Sequence, residues 1–233
     1  MIGNGTNSGR LNLGCGPNAP AGWLNVDGSW KAWLSNHSHL LTVLESIGLT
    51  KGDQGAEWKA RPVVHDLRKP LPFKENTFSA IYASHVLEHL YLSDAQRLLS
   101  ECKRVLMPGA AIRLVVPDLH SIVVDYLNRK NANEITFLEK ASAADRLNEK
   151  LRFRSTSAPS GNFVLRYYTL CKDFHSHKWM YDSDSLVHYL EMAGFQDVSE
   201  KEFLISNIPG IEEVEKEDRV MGGEGICIEA KKP

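Results

Sequence analysis

Apolar and polar positions along this chain switch repeatedly between a two-residue and a 3.6-residue period. Residues 10–13 alternate and end at Gly14-Cys15-Gly16-Pro17, so they read as a strand entering a glycine turn. Residues 23–27 read as a second strand. From Ser29, a good N-cap residue, apolar side chains recur at Trp30, Trp33, Leu34, Leu40, Leu41, Leu44 and Ile47 before Gly48. That spacing predicts a helix with one buried face. Residues 50–60 are polar and Gly-containing, hence a loop, and 62–66 resume as a strand with Asp66 at its end.

A fourth strand is expected over residues 78–83, followed by the segment 84–90. Ser93 with Gln96 has the spacing of a capping box, and Leu98, Leu99, Cys102, Val105 and Leu106 form a helical stripe stopped by Pro108-Gly109. Residues 111–116 are continuously apolar except for Arg113, as expected of a parallel strand buried on both faces. Asp118 caps a helix bearing Leu119, Ile122, Val123, Tyr126 and Leu127. Regularity then lapses. Residues 130–180 read as an insertion covering a site, with a helix near 134–151 and then an aromatic, basic, serine-rich stretch. Asp182 or Ser183 caps a further helix through Leu186, Val187, Leu190 and Ala193 that Gly194 ends. Residues 195–204 and 225–230 read as strands, and the acidic segment 212–218 as a solvated connection. Strands alternating with helices predict an α/β fold: a doubly wound, mostly parallel sheet with helices on both faces, in one domain over residues 1–233.

Composition narrows the class rather than the fold. Of 233 residues, 42% are hydrophobic and 24% charged, which suits a soluble globular protein. A formal charge of -2 argues against general nucleic-acid binding. No run approaches the roughly 20 apolar residues that cross a bilayer, so the expected location is the cytoplasm. Cys15, Cys102, Cys171 and Cys227 lack a C-x-x-C pair and read as four reduced, mostly buried thiols.

In sheets of this kind a ligand binds outside the carboxyl ends of the strands, where strand order reverses. Four segments put suitable groups there. Gly14-Cys15-Gly16 lets the backbone approach a ligand and offers N–H groups to an anion. The carboxylate of Asp27 can accept both hydroxyls of a ribose. Asp66 can accept from an adenine amine, with Leu67 packing on the ring. The segment Ser84-His85-Val86-Leu87-Glu88-His89 follows strand four directly.

Taken in order, LNLGCGP, WLNVD, HDLRKPLPFKENTFSAIYASHVLEHL and ECKRVLMPGAAIRLVVPD closely resemble the class I S-adenosylmethionine-dependent methyltransferases. The resemblance is strongest to a small bacterial methyltransferase-11-like group associated with polysaccharide biosynthesis, and it spans about residues 10–129. It implies a Rossmann-like, seven-stranded, mostly parallel sheet with an antiparallel last strand. It also implies that Gly14, Cys15 and Gly16 lie against the methionine part of S-adenosylmethionine and that Asp27 binds its ribose. Asp66 and Leu67 would hold the adenine, while Ser84 and His85 would lie beside the sulfonium. Two departures stand out. Only ten residues separate Gly16 from Asp27, where the family has a full helix, and only nine precede Arg10. The helix expected over 30–47 is then the candidate cover for the cofactor.

Two rival motifs occur in the same segments. Gly14-x-Gly16-x-x-Ala19 fits a dinucleotide fingerprint formally, but Pro17, Pro20 and the early Asp27 disagree with its helix and its acidic residue about 20 positions on. His85-x-x-Glu88-His89 matches the inverted zinc-peptidase motif. No third ligand stands at a known offset, so no metal is expected and a zinc hydrolase is the remote alternative. A binding protein that keeps the cofactor pocket without turnover is the other.

Methyl transfer from a sulfonium needs alignment above all, plus a base where the acceptor is a hydroxyl or an amine. His85, His175 and His177 are the candidate bases, with His85 and His177 favoured. Trp179, Tyr181, Tyr167, Tyr168 and Phe174 could wall an acceptor, and Arg152, Arg154 and Arg166 could draw an anionic group to it. The expected acceptor is a small molecule, with a sugar or sugar nucleotide leading from the resemblance alone.

Overall fold

The computed structural model describes residues 9–37, 39, 60–132, 137–153, 176–217, 220 and 225–233. Seven strands form one sheet: β1 (Arg10–Leu13), β2 (Leu24–Asp27), β3 (Val63–Val64), β4 (Phe78–Ser84), β5 (Leu106–Pro117), β6 (Gln196–Glu200) and β7 (Gly225–Lys231). Their order is β3-β2-β1-β4-β5-β7-β6. The first five run parallel, and β7 is antiparallel to both β5 and β6. This is the doubly wound sheet with an antiparallel last strand that the alternation and the resemblance implied. Strand order reverses between β1 and β4, so their carboxyl ends open the crevice where such sheets bind ligands.

The helices are α1 (Trp30–Ser35), α2 (Leu92–Val105), α3 (Leu119–Asn131), α4 (Phe137–Leu151) and α5 (Ser183–Met192). Two caps follow the sequence. The Ser29 side chain accepts from the Ala32 N–H, and Asp118 accepts from the N–H groups of His120 and Ser121. Of the two candidates for α5, Asp182 is the N-cap, in a reciprocal capping box with Ser185. The box expected at Ser93 and Gln96 does not form. α2 begins two residues earlier with Tyr91 as its N-cap, and the Tyr91 carbonyl takes the Asp94 and Ala95 N–H groups.

One face of the sheet packs Leu11, Leu13, Val26, Ile81, Ala83, Ile112, Leu114 and Ile228 against Leu98, Leu99 and Cys102 of α2 and Leu186 and Leu190 of α5. The other face is covered differently. Parallel neighbours need a crossover of a dozen or more residues, usually a helix. The β1–β2 connection has only ten residues, Gly14 to Trp23, and forms turns without a helix. Chain from the β6–β7 connection takes that place, with Ile208, Ile211, Val214 and Val220 packing on Trp23, Tyr82, Val115 and Cys227. Arg10 donates to the Pro209 carbonyl and the Glu213 carboxylate, and Asn18 donates to the Val214 carbonyl.

The acidic segment is therefore no solvated connection. Glu215 is 1% exposed and anchors Arg113, the one polar interruption of the apolar fifth strand. Arg113 uses all five of its N–H donors: two on Glu215, one on Glu229, and one each on the carbonyls of Glu202 and Ile205. A cation on a buried strand is tolerated because every donor and both carboxylates are matched.

Boundaries shift elsewhere. β5 begins at Leu106, directly after α2, and takes in Pro108-Gly109. β3 stops at Val64 and β6 at Glu200, both short of expectation. α1 is described through Ser35, and residues 40–47 of the expected helix lie outside the described residues. Cys15, Cys102 and Cys227 are buried and in no disulfide among the described residues, while Cys171 lies outside them. Among the described residues no helix is long and apolar enough to cross a membrane.

Candidate active site

The glycine turn after β1 is shaped by backbone geometry. Gly14 and Gly16 have φ of 61° and 53°, the left-handed region that favours glycine. A Cβ on Gly14 would also come within 2.4 Å of Val86 Cγ2. The missing side chain thus lets Val86, the residue that follows His85, pack directly on the turn.

Asp27 ends β2 beside this turn and is 8% exposed. Its Oδ2 accepts from the Gly16 N–H at 2.9 Å and its Oδ1 from the Ser29 N–H at 2.7 Å. Each oxygen keeps further acceptor capacity. One carboxylate therefore fixes the glycine turn to the start of α1 and still has lone pairs to offer. Gly28 follows under tight constraint, since a Cβ there would lie 2.8 Å from the His65 carbonyl oxygen. The His65 N–H, donating to the Asp27 carbonyl, ties the ends of β2 and β3 together.

Asp66 lies two residues beyond β3 and is partly exposed. Its carboxylate is held in a two-pronged contact with the Arg68 guanidinium, with both N···O distances 2.9 Å. That hydrogen bond holds its pKa below the usual carboxylate range. An amine donor reaching Asp66 must share the carboxylate with Arg68. Leu67 is half-buried against the main core.

At the end of β4, the Ser84 hydroxyl is buried and has no hydrogen-bond partner among the described residues. Ser84 also lines a small cleft with Gly14, Cys15, Asn12, Asn18, Tyr82 and Val214, at the point where strand order reverses. His85 has φ of 55°, and its N–H donates to the Val115 carbonyl, so the strand turns sharply there. Its Nδ1 is 2.9 Å from Oε1 of Glu88, and its side chain is 21% exposed.

Residues 87–89 form a 3-10 turn rather than the α-helix that the inverted zinc-peptidase motif presumes. Glu88 is fully buried in it, and its Oε2 has no hydrogen-bond partner among the described residues. His89 and His177 meet edge to face beside it, ring centroids 5.0 Å apart. His177 is 5% exposed, with Nδ1 3.2 Å from the Met180 sulfur. Burial pushes its pKa down to about 4, against the pull of Glu88. It is neutral at physiological pH and well below the range suited to a base working there.

The structure thus brings Gly14, Cys15, Gly16, Asp27, Ser84 and His85 to one crevice, with Asp66 and Leu67 on its β3 side. It places His177 in a buried cluster with Glu88 and His89. Sequence reasoning set Glu88 aside for lack of a third partner, which is supplied from the segment ahead of α5. Trp179 is 43% exposed, whereas Tyr181 is buried with its hydroxyl unpartnered among the described residues. Arg152 is exposed at the end of α4. His175, Tyr167, Tyr168, Phe174, Arg154 and Arg166 lie outside the described residues.

Residues 11–114 match the model of the methyltransferase domain family Methyltransf_11. The match takes in less than half of the chain and supports an enzyme with S-adenosylmethionine as its cofactor. No curated protein sequence matches it. Several solved structures are similar at low identity. An S-adenosylmethionine-dependent methyltransferase of Thermotoga maritima is 13% identical, with 100% of this chain and 84% of that one covered and a TM-score of 0.47. One of Archaeoglobus fulgidus is 16% identical over 96% of this chain and 85% of the other, TM-score 0.44. A phosphoethanolamine N-methyltransferase of Haemonchus contortus is 13% identical over 96% and 48%, TM-score 0.46.

Proposed function

We propose that the crevice between β1 and β4 holds S-adenosylmethionine for in-line methyl transfer to a small-molecule or sugar-type acceptor. The observation that carries this reading is the Asp27 carboxylate, anchored by the Gly16 and Ser29 N–H groups with lone pairs to spare at the point where strand order reverses. The left-handed glycine turn and the unpartnered Ser84 hydroxyl fit the same cofactor.

The cofactor supplies an electrophilic methyl group on a good leaving group. Gly14, Cys15 and Gly16 would take its methionine part along their backbone. Asp27 accepts from the ribose hydroxyls. Asp66 accepts from the adenine amine while sharing its carboxylate with Arg68, and Leu67 packs on the ring. Ser84 and His85 stand beside the reacting centre.

His85 is the base for a hydroxyl or amine acceptor. Its Nδ1–H donates to Glu88 and leaves Nε2 as the acceptor, so the buried carboxylate fixes both tautomer and ring orientation. His177 acts in this scheme as a buried positioning residue. Incubation with methyl-labelled S-adenosylmethionine and a panel of sugars and sugar nucleotides tests the acceptor class. In His85→Ala, turnover on any acceptor found falls about 100-fold or more while cofactor affinity changes little. Equal turnover in the variant removes His85 as the base. Cofactor binding with no transfer to any sugar-type acceptor removes that type of acceptor.

A further inference from the structure

We propose that Glu88, His89 and His177 form a binding site for a divalent transition-metal cation of the zinc class. One ligand atom from each of the three lies within 4.8 Å of the others, and Glu88 and His177 are buried. Four-coordinate zinc at about 2.0–2.2 Å from its ligands sets them about 3.4 Å apart. The cluster therefore needs to contract by roughly an ångström to close on an ion.

The hydrogen bonds around the cluster leave the right atoms bare. His89 Nδ1 is 3.2 Å from the Ser176 carbonyl oxygen, which can only accept, so Nδ1 carries the proton and neutral His89 presents the lone pair of Nε2. That Nε2 is 4.0 Å from Glu88 Oε1. A ligating histidine commonly donates its other N–H to a backbone carbonyl in this way. Glu88 shows the same division. Its Oε1 accepts from His85, and its Oε2 is buried without a partner among the described residues. A buried carboxylate oxygen left without a partner is costly unless a cation or a proton meets it.

The backbone holds the two halves of the site together. The Lys178 and Trp179 N–H groups both donate to the Glu88 carbonyl, and the His177 N–H donates to the Arg152 carbonyl. Two imidazoles and one carboxylate suit zinc, cobalt, nickel or iron better than magnesium or calcium. They also leave a fourth position for water or an acceptor oxygen, as in catalytic rather than structural zinc sites. Because His85 hangs on the same carboxylate, an ion here would sit one residue from the proposed base.

The test is metal binding by the untagged, chelator-treated chain, read without any activity assay. Cobalt(II) chloride should bind at one equivalent per chain with the visible absorption of a low-coordinate site, and zinc chloride should displace it. Glu88→Gln and His177→Asn should each weaken binding by at least tenfold, with folding checked by circular dichroism. No binding by the wild-type chain overturns the proposal, whatever the variants do. So does wild-type affinity in folded Glu88→Gln. If a variant fails to fold, His89→Gln takes its place. Titration of the same preparation with S-adenosylmethionine separates this site from the cofactor pocket: cofactor binding without metal binding refutes the cation site alone.

Discussion

At the scale of single residues, the crevice is defined as much by a missing side chain as by those present. Gly14 needs both a left-handed φ and an empty Cβ position against Val86. Gly14→Ala meets a branched side chain that cannot swing away, and overpacking of this kind costs about 1–3 kcal/mol. The variant should melt several degrees lower and bind S-adenosylmethionine more weakly. A variant with wild-type melting and affinity would show that the turn is looser than described. The glycines and Asp27 were legible from sequence because their types and order carry the resemblance. The cluster of His177 with Glu88 and His89 was not. Its partners are far apart along the chain, and no spacing rule joins a 3-10 turn to the segment leading into α5.

At the scale of elements, helix caps were read with mixed success, for a physical reason. Ser29, Asp118 and Asp182 each stand just before an apolar stripe and make the expected side-chain bonds to the first turn. Ser93 and Gln96 have the same spacing but fall inside a helix whose start is set by Tyr91, where the chain leaves the turn after β4. The bonds from Ser185 hold the Asp182 carboxyl below its ordinary pKa. A depressed folded-state pKa stabilises the fold above the unfolded value and is lost as pH falls through the folded one. Asp182→Ala should therefore cost about 1 kcal/mol at pH 7. Denaturant titrations of wild type and variant should converge below about pH 4. A difference that persists undiminished at pH 2 would contradict the capping role.

At the scale of the whole molecule, strand number and direction follow from the alternation of periods and the resemblance, whereas the strand order comes from the structure. Covering of the second sheet face does not follow from them either. The ten-residue β1–β2 link shows that a helix is missing, yet nothing in the local pattern says that residues 208–214 and Val220 take its place. Their charges read as solvated because the partner, Arg113, lies about 100 residues away in an apolar strand. Removing one side of a buried ion pair costs about 3–5 kcal/mol. Glu215→Ala should lower unfolding free energy by that amount, measured by urea titration. A loss below about 1 kcal/mol, typical of surface pairs, would mean that the segment is not packed on the sheet.

The central claim is that the Asp27-anchored crevice binds S-adenosylmethionine. Isothermal titration calorimetry of the wild type, Asp27→Ala and Asp66→Ala tests it most directly. The account predicts one site of micromolar order in the wild type and a loss of about tenfold or more, roughly 1.4 kcal/mol, in each variant. No binding by the wild type, or unchanged affinity in both variants, would contradict it.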